Sequence, residues 1–96
     1  MKNIIANLNK AFESRIRLGI MSALAVNDAL DFNALKELLE VTDGNLASHL
    51  KALESFGYVQ STKQFIGRKP NTSYSITQSG SDDFKHHLNA LGELLS

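Results

Sequence analysis

The sequence predicts a mainly α domain that carries one β-hairpin, and three observations lead there. Five stretches repeat apolar residues at the spacing of a buried helix face. Between Tyr58 and Ile76 the composition changes to Val, Thr, Tyr, Phe and Ile around the turn-forming GRKPN, the pattern of two short strands. Thr42 to Tyr58, TDGNLASHLKALESFGY, holds a start signal, an apolar face, a polar face and a stop signal within seventeen residues.

Ile4, Ile5, Leu8 and Phe12 are spaced as a helix face, so a short leading helix is expected over about residues 3–12. Ser14 is placed to cap a second helix, in which Ile16, Ile20, Ala23 and Leu24 share a stripe with Gly19. Asn27 and Asp28 mark its exit. Asp31-Phe32 is too short for more than a bridge of strand. Asn33 is the expected cap of the next helix, with Leu35, Leu38 and Leu39 facing inward. Val41 and Thr42 make a brief turn. Thr42 then caps the helix that follows, and Asp43 adds a negative charge at the positive end of its dipole. Leu46, Leu50 and Leu53 form its inner face, and Gly57 stands where a left-handed residue ends a helix. In the hairpin, Thr72, Tyr74 and Ile76 share one side, and the tip is expected to carry Gly67, Arg68, Lys69 and Asn71, with Pro70 restricting it. Thr77 caps a last helix, whose stripe is Phe84, Leu88, Leu91 and Leu95. After the leading helix, the order helix, helix, helix, hairpin, helix is that of a winged helix-turn-helix: a three-helix core, a wing and a C-terminal helix.

Composition narrows the function. Ninety-six residues make a single domain, 1–96, with a core small enough that association would help it. With no cysteine there are no disulfides and no thiolate metal sites, which fits a reducing compartment. No apolar run suits a signal peptide or a bilayer span, so a cytoplasmic protein without a membrane partner is expected. Ten basic and ten acidic residues cancel. Their distribution is uneven, because no Asp or Glu lies between Ser55 and Ser81, where Lys63, Arg68 and Lys69 do. No nucleophile–base pair and no phosphate-cradling Gly loop is present, so an enzyme is not expected.

RIRLGIM, DFNALKELLEVTDGNLASHLKALESFGYV and KQFIGRKPNTSYSITQSG resemble the winged-helix transcriptional regulators related to the MarR and ArsR repressors. More narrowly they resemble small members that are little more than the winged helix. The resemblance runs from about residue 14 to residue 80. It implies a homodimer that binds double-stranded DNA sequence-specifically and probes it with the Thr42–Tyr58 helix. It places the wing at Lys63 to Thr72. It also implies that the dimer is built from the terminal helices, about 3–12 and 78–95, whose apolar positions are Ile4, Ile5, Leu8, Phe84, Leu88, Leu91 and Leu95.

On that reading, Thr42 opens the recognition helix and Gly44 permits close approach of its backbone. Asn45 suits the N7/N6 edge of adenine, and Ser48 suits a base or a phosphate. Lys51 lies further along, where phosphate is the expected contact, and Lys63 and Lys69 are expected on phosphates too. Arg68 suits a narrow minor groove. For His49 two uses stay open: a contact to DNA, or packing on the preceding helix with one ring nitrogen satisfied. Arg15 and Arg17 open the second helix, with a surface ion pair as the expected use of Arg15. Asp82, Asp83, His86 and His87 form i, i+4 pairs with metal-ligand chemistry, but a closed site would need two subunits, and no metal or cofactor is expected. The rival to DNA binding is a winged helix that binds proteins, which the neutral charge favours and the polar face of residues 44–51 opposes. A second alternative is a repressor that responds to a metal or ligand.

Overall fold

A computed structural model of the protein describes residues 5–95. Two short 3-10 turns, Ile5–Asn7 and Lys10–Phe12, lead into α1 (Arg15–Ala25), β1 (Leu30–Asp31), α2 (Phe32–Leu39), α3 (Asp43–Ser55), β2 (Val59–Ile66), β3 (Lys69–Ile76) and α4 (Gln78–Leu95). The sheet is antiparallel in the order β1-β3-β2. The fold class is the one expected.

The local chemistry explains most boundaries. Ser14 caps α1 by accepting the Arg17 N–H, and the Asn27 side chain donates to the Ala23 carbonyl at its exit. Thr42 caps α3 through the Asn45 N–H. That helix ends in a Schellman motif: Gly57 has φ of 79°, its N–H reaches the Glu54 carbonyl, and the Tyr58 N–H reaches Leu53. Thr77 accepts the Gly80 N–H at the start of α4 and donates its own hydroxyl to the Gly57 carbonyl. The end of α3 and the start of α4 are thereby tied together.

Three expectations need correction. The leading helix is not continuous. Asn9 adopts an extended conformation and its side chain accepts the Ala11 N–H, so the chain breaks into two turns. Ile4 lies outside the described residues. The cap of α2 is Asp31, not Asn33: pairing with Ser73 holds Asp31 extended, and its carboxylate accepts the Ala34 N–H. Leu38 does not face inward but is 59% exposed, while Leu35 is fully buried. An eight-residue helix has room for one inner ridge, and α2 ends on Glu40 with φ of 53°.

The core gathers Ile20, Met21, Leu24, Leu35, Leu46, Leu50 and Leu53, all buried. At one end sits an aromatic cluster. Phe12, fully buried, places its ring 5.2 Å from Tyr58, 5.3 Å from Phe84 and 5.2 Å from His87. The polar atoms of this cluster are satisfied in sequence. Tyr58 donates its hydroxyl to Asp83 at 2.6 Å, Asn9 donates its side-chain amide to the Tyr58 hydroxyl, and the Asn9 backbone N–H donates to His87 Nδ1 at 2.9 Å. Burial, then the Asp83 hydrogen bond, push the Tyr58 phenol above its usual range, which keeps it a donor.

Burial pushes the His87 imidazole below the ordinary histidine value, against a smaller opposing effect of Glu13. The folded state therefore holds this ring neutral while the unfolded state takes up a proton more readily. Its contribution to stability is present above the unfolded value of about 6.5 and is lost as pH falls through the lower folded value. Thermal melts are expected to show the midpoint falling as the pH is lowered from about 7 to about 5. His87→Gln, which keeps an acceptor for Asn9, should flatten that fall. A slope identical in the two proteins would remove His87 from the account.

Candidate nucleic-acid interface

The outer side of α3 carries Gly44, Asn45, Ser48 and Lys51, all exposed, opposite the buried Leu46, Leu50 and Leu53. A side chain at Gly44 would meet nothing within 4 Å, so the first turn of the helix is bare on this side. Thr42 is exposed as well, with its hydroxyl engaged in the cap. Asp43 is the one acid in the first turn, and Lys36 of α2 pairs with it at 2.8 Å. Both partners are well exposed, so the pair adds little stability. It does offset a negative charge on the face that would approach a polyanion.

His49 is half-buried and packs toward α1. Its Nδ1 accepts from Arg17 Nε at 3.1 Å, and Arg17 also donates to the Ala11 carbonyl. The partner is α1, not the preceding helix, and one ring nitrogen is satisfied there. Arg15 is exposed and makes no ion pair among the described residues.

The wing is narrower at its end than the sequence suggested. Gly67 and Arg68 alone form the turn, with Gly67 at φ of 65°, as suits the first position of a type II′ turn. Lys69 pairs with Ile66 and Asn71 with Gln64, so both belong to β3 and not to the tip. Pro70 lies opposite Phe65, in a part of β3 that β1 does not reach, where its missing N–H deprives no neighbouring strand. Lys63, Arg68 and Lys69 are exposed, and Asn71 is half-buried. Because side chains alternate along a strand, Lys63 and Lys69 lie on opposite faces, with Arg68 between them at the turn.

The Asp82, Asp83, His86 and His87 cluster does not assemble. Asp83 is engaged by Tyr58, Asp82 accepts from Gln78, and His87 points into the core with its Nδ1 occupied. No group of three His, Asp or Glu side chains placed to hold a metal occurs among the described residues. The cap of α4 is Thr77, as expected. A hollow lined by Asn33, Lys36, Glu37, Glu40 and Val41 lies on α2 and its exit, away from the terminal elements.

On α4 the inner face is Gly80, Phe84, His87 and Ala90. Phe84 therefore serves the protomer's own core. Leu88 and Leu94 are each 46% exposed, Leu95 is 90% exposed, Leu91 is half-buried, and Ile5 is 71% exposed with Leu8 half-buried. Periodicity pointed to one stripe; α4 has an inner face and a second apolar edge that the monomer leaves uncovered.

Helix α2, a tight turn, helix α3 with a polar outer face, and a hairpin directly after it define a winged helix-turn-helix. The chain belongs to the winged-helix DNA-binding domain family, whose model matches residues 16–95. It is 40% identical over 79 residues to an uncharacterized protein of Methanocaldococcus jannaschii, covering 82% of this chain and 86% of that one. The structure of a transcriptional regulator homologue from Pyrococcus horikoshii OT3 matches with a TM-score of 0.88 at 30% identity, covering 98% of this chain and 95% of that one. A MarR-family transcriptional regulator from Silicibacter pomeroyi shares the fold, with a TM-score of 0.63 at 19% identity over 97% of this chain and 67% of that one. No helix among the described residues is long and apolar enough to cross a membrane.

Proposed function

We propose that the protein is a homodimeric, sequence-specific binder of double-stranded DNA that regulates transcription, as a repressor by occlusion. The observation that carries this reading is the exposed polar face of α3, Gly44, Asn45, Ser48 and Lys51, followed directly by an acid-free hairpin. Small and hydrogen-bonding side chains at the start of a helix suit base edges in a major groove. Two copies of α3 would enter successive major grooves about 34 Å apart. With few cations per subunit, affinity for arbitrary DNA is weak and falls with salt.

Fluorescence anisotropy on duplex DNA tests this. The protein is expected to bind with an affinity that falls as salt rises. Arg68→Ala should weaken binding to every sequence and reduce the salt slope by about one. An affinity and slope untouched by that change would remove the wing from the interface, and a dimer that binds no duplex at any salt would end the reading.

Support for the dimer comes from the uncovered edge of α4. Leu88, Leu94, Leu95 and Ile5 are large apolar side chains left exposed, which a second copy can cover. Leu88→Glu puts a charge among them and is expected to shift the mass seen by sedimentation from dimer to monomer. A mass that stays dimeric would move the interface elsewhere.

A further inference from the structure

The last rungs of the wing differ from the rest of it. From Gln60 to Gln64 and from Asn71 to Ser75 the two strands are polar apart from Tyr74, which packs on the core. At the end of the hairpin the pattern reverses: Phe65 is 74% exposed and Ile66 is 63% exposed. The register pairs Phe65 with Pro70 and Ile66 with Lys69. Alternation then puts Phe65 and Pro70 on one face of the tip and Ile66 on the other. A contact between Phe65 and Pro70 would help close the hairpin, yet most of the Phe65 surface stays in water. Ile66 has no apolar residue opposite it at all.

The surroundings of this tip say what would cover it. Lys63, Arg68 and Lys69 flank the two apolar side chains, and no acid lies between Ser55 and Ser81. An apolar edge collared by cations fits a polyanion that has apolar walls. The minor groove of DNA is such a place, with phosphates at its rims and deoxyribose C–H surfaces along its sides. Strands in a sheet stand about 4.8 Å apart with side chains on both faces, whereas the groove is only about 6 Å wide. A tip carrying Phe and Ile on opposite faces enters only if the groove opens. Opening is easiest at TA steps and hardest in stiff A-tracts.

We propose that the wing tip is an apolar wedge. Phe65 and Ile66 bear on the two walls of the minor groove and pry it open, while Arg68 and Lys69 hold the rims. The protein thereby selects deformable pyrimidine–purine steps beside the sequence that α3 reads. This rests on the DNA-binding reading above, and it reverses the preference of a wing that uses Arg68 alone, which favours the narrow groove of an A-tract.

Two short duplexes of equal length and composition test it, one built from alternating TA steps and the other from A-tracts, each followed by anisotropy across a salt series. The protein is expected to favour the TA duplex by roughly tenfold, the factor that about 1.4 kcal/mol sets. Phe65→Ser combined with Ile66→Thr should abolish the preference and leave the salt slope unchanged. The apolar pair Phe65→Leu with Ile66→Val should keep it. All these changes lie beyond β1 and outside the core, so the melting temperature serves as the control for folding. Equal affinity for the two duplexes, or an A-tract preference that survives the double change, overturns the wedge and leaves DNA binding standing. Absence of binding to either duplex overturns both. A double change that alters the mass in sedimentation and not the DNA preference makes the tip a protein contact and overturns the wedge.

Discussion

Gly80→Ala is expected to destabilise the fold by about 3 kcal/mol, measured by urea unfolding. Gly80 is the third residue of α4 and is buried. A Cβ at this position would collide with the backbone carbonyl of Tyr58. That carbonyl already accepts the Thr77 N–H at 3.0 Å, and Thr77 accepts the Gly80 N–H at 2.9 Å. The obstacle is backbone, so no rotamer change relieves it. To admit a methyl group, α4 must back away from the end of α3, and the contact of Phe84 with Phe12 opens with it. Inside a helix the same substitution ordinarily gains about 0.5–1 kcal/mol. Gly92, in the same helix with open space around it, provides the control, and Gly92→Ala should follow the ordinary sign. Equal effects at the two glycines would mean that the close approach at Tyr58 does not hold α4 in place.

Asn45→Ala is expected to cost about 1–3 kcal/mol on the duplex that the protein binds best, obtained by selection from a random pool, and very little on an unrelated duplex. The reason lies in how α3 begins. The backbone N–H of Asn45 is capped by Thr42, while its side-chain amide is exposed and has no partner among the described residues. Alanine therefore removes the amide without touching the cap, and the melting temperature should hardly move. A uniform loss on every duplex would place Asn45 on a phosphate and not on a base edge.

The parts of this fold that were legible in the sequence are those set by local chemistry. For α3 the cap, the apolar spacing and the left-handed glycine all lie within one short stretch, and each appears in the structure where the sequence puts it. The leading segment failed because one amide side chain, that of Asn9, outcompetes the helix for a backbone N–H. Asp31 displaced Asn33 as a cap because a long-range strand pair fixes its backbone, and no local signal announces that pair. Leu38 fits the helical period as well as Leu35 does. Only the position of α2 on α1 and α3 decides which of them is covered.

At the candidate site the polar face of α3 was readable. The register that moves Lys69 and Asn71 into β3 was not, because it depends on a turn of two residues where the sequence allowed five. His49 and Arg17 meet across 32 positions of sequence, and the fate of Asp83 and His87 turns on Asn9 and Tyr58 from two other elements. Phe65 and Ile66 looked like ordinary strand residues. The missing fact was that the hairpin runs on past the helices that would have covered them.

The sheet order has a mechanical consequence. Among the described residues, β1 pairs with β3 only at Tyr74 and Ser73, and the four rungs from Lys63–Thr72 to Ile66–Lys69 have no third strand beside them. The wing is thus a lever clamped at its root, with a free arm of roughly 13 Å at about 3.3 Å per residue. A tilt of about 10° at the clamp carries the tip roughly 2 Å along or across a groove on that arm. The core need not repack for such a swing. On the proposed DNA-binding reading, a fixed α3 and a pivoting arm on one frame would fit sites whose groove spacing differs slightly.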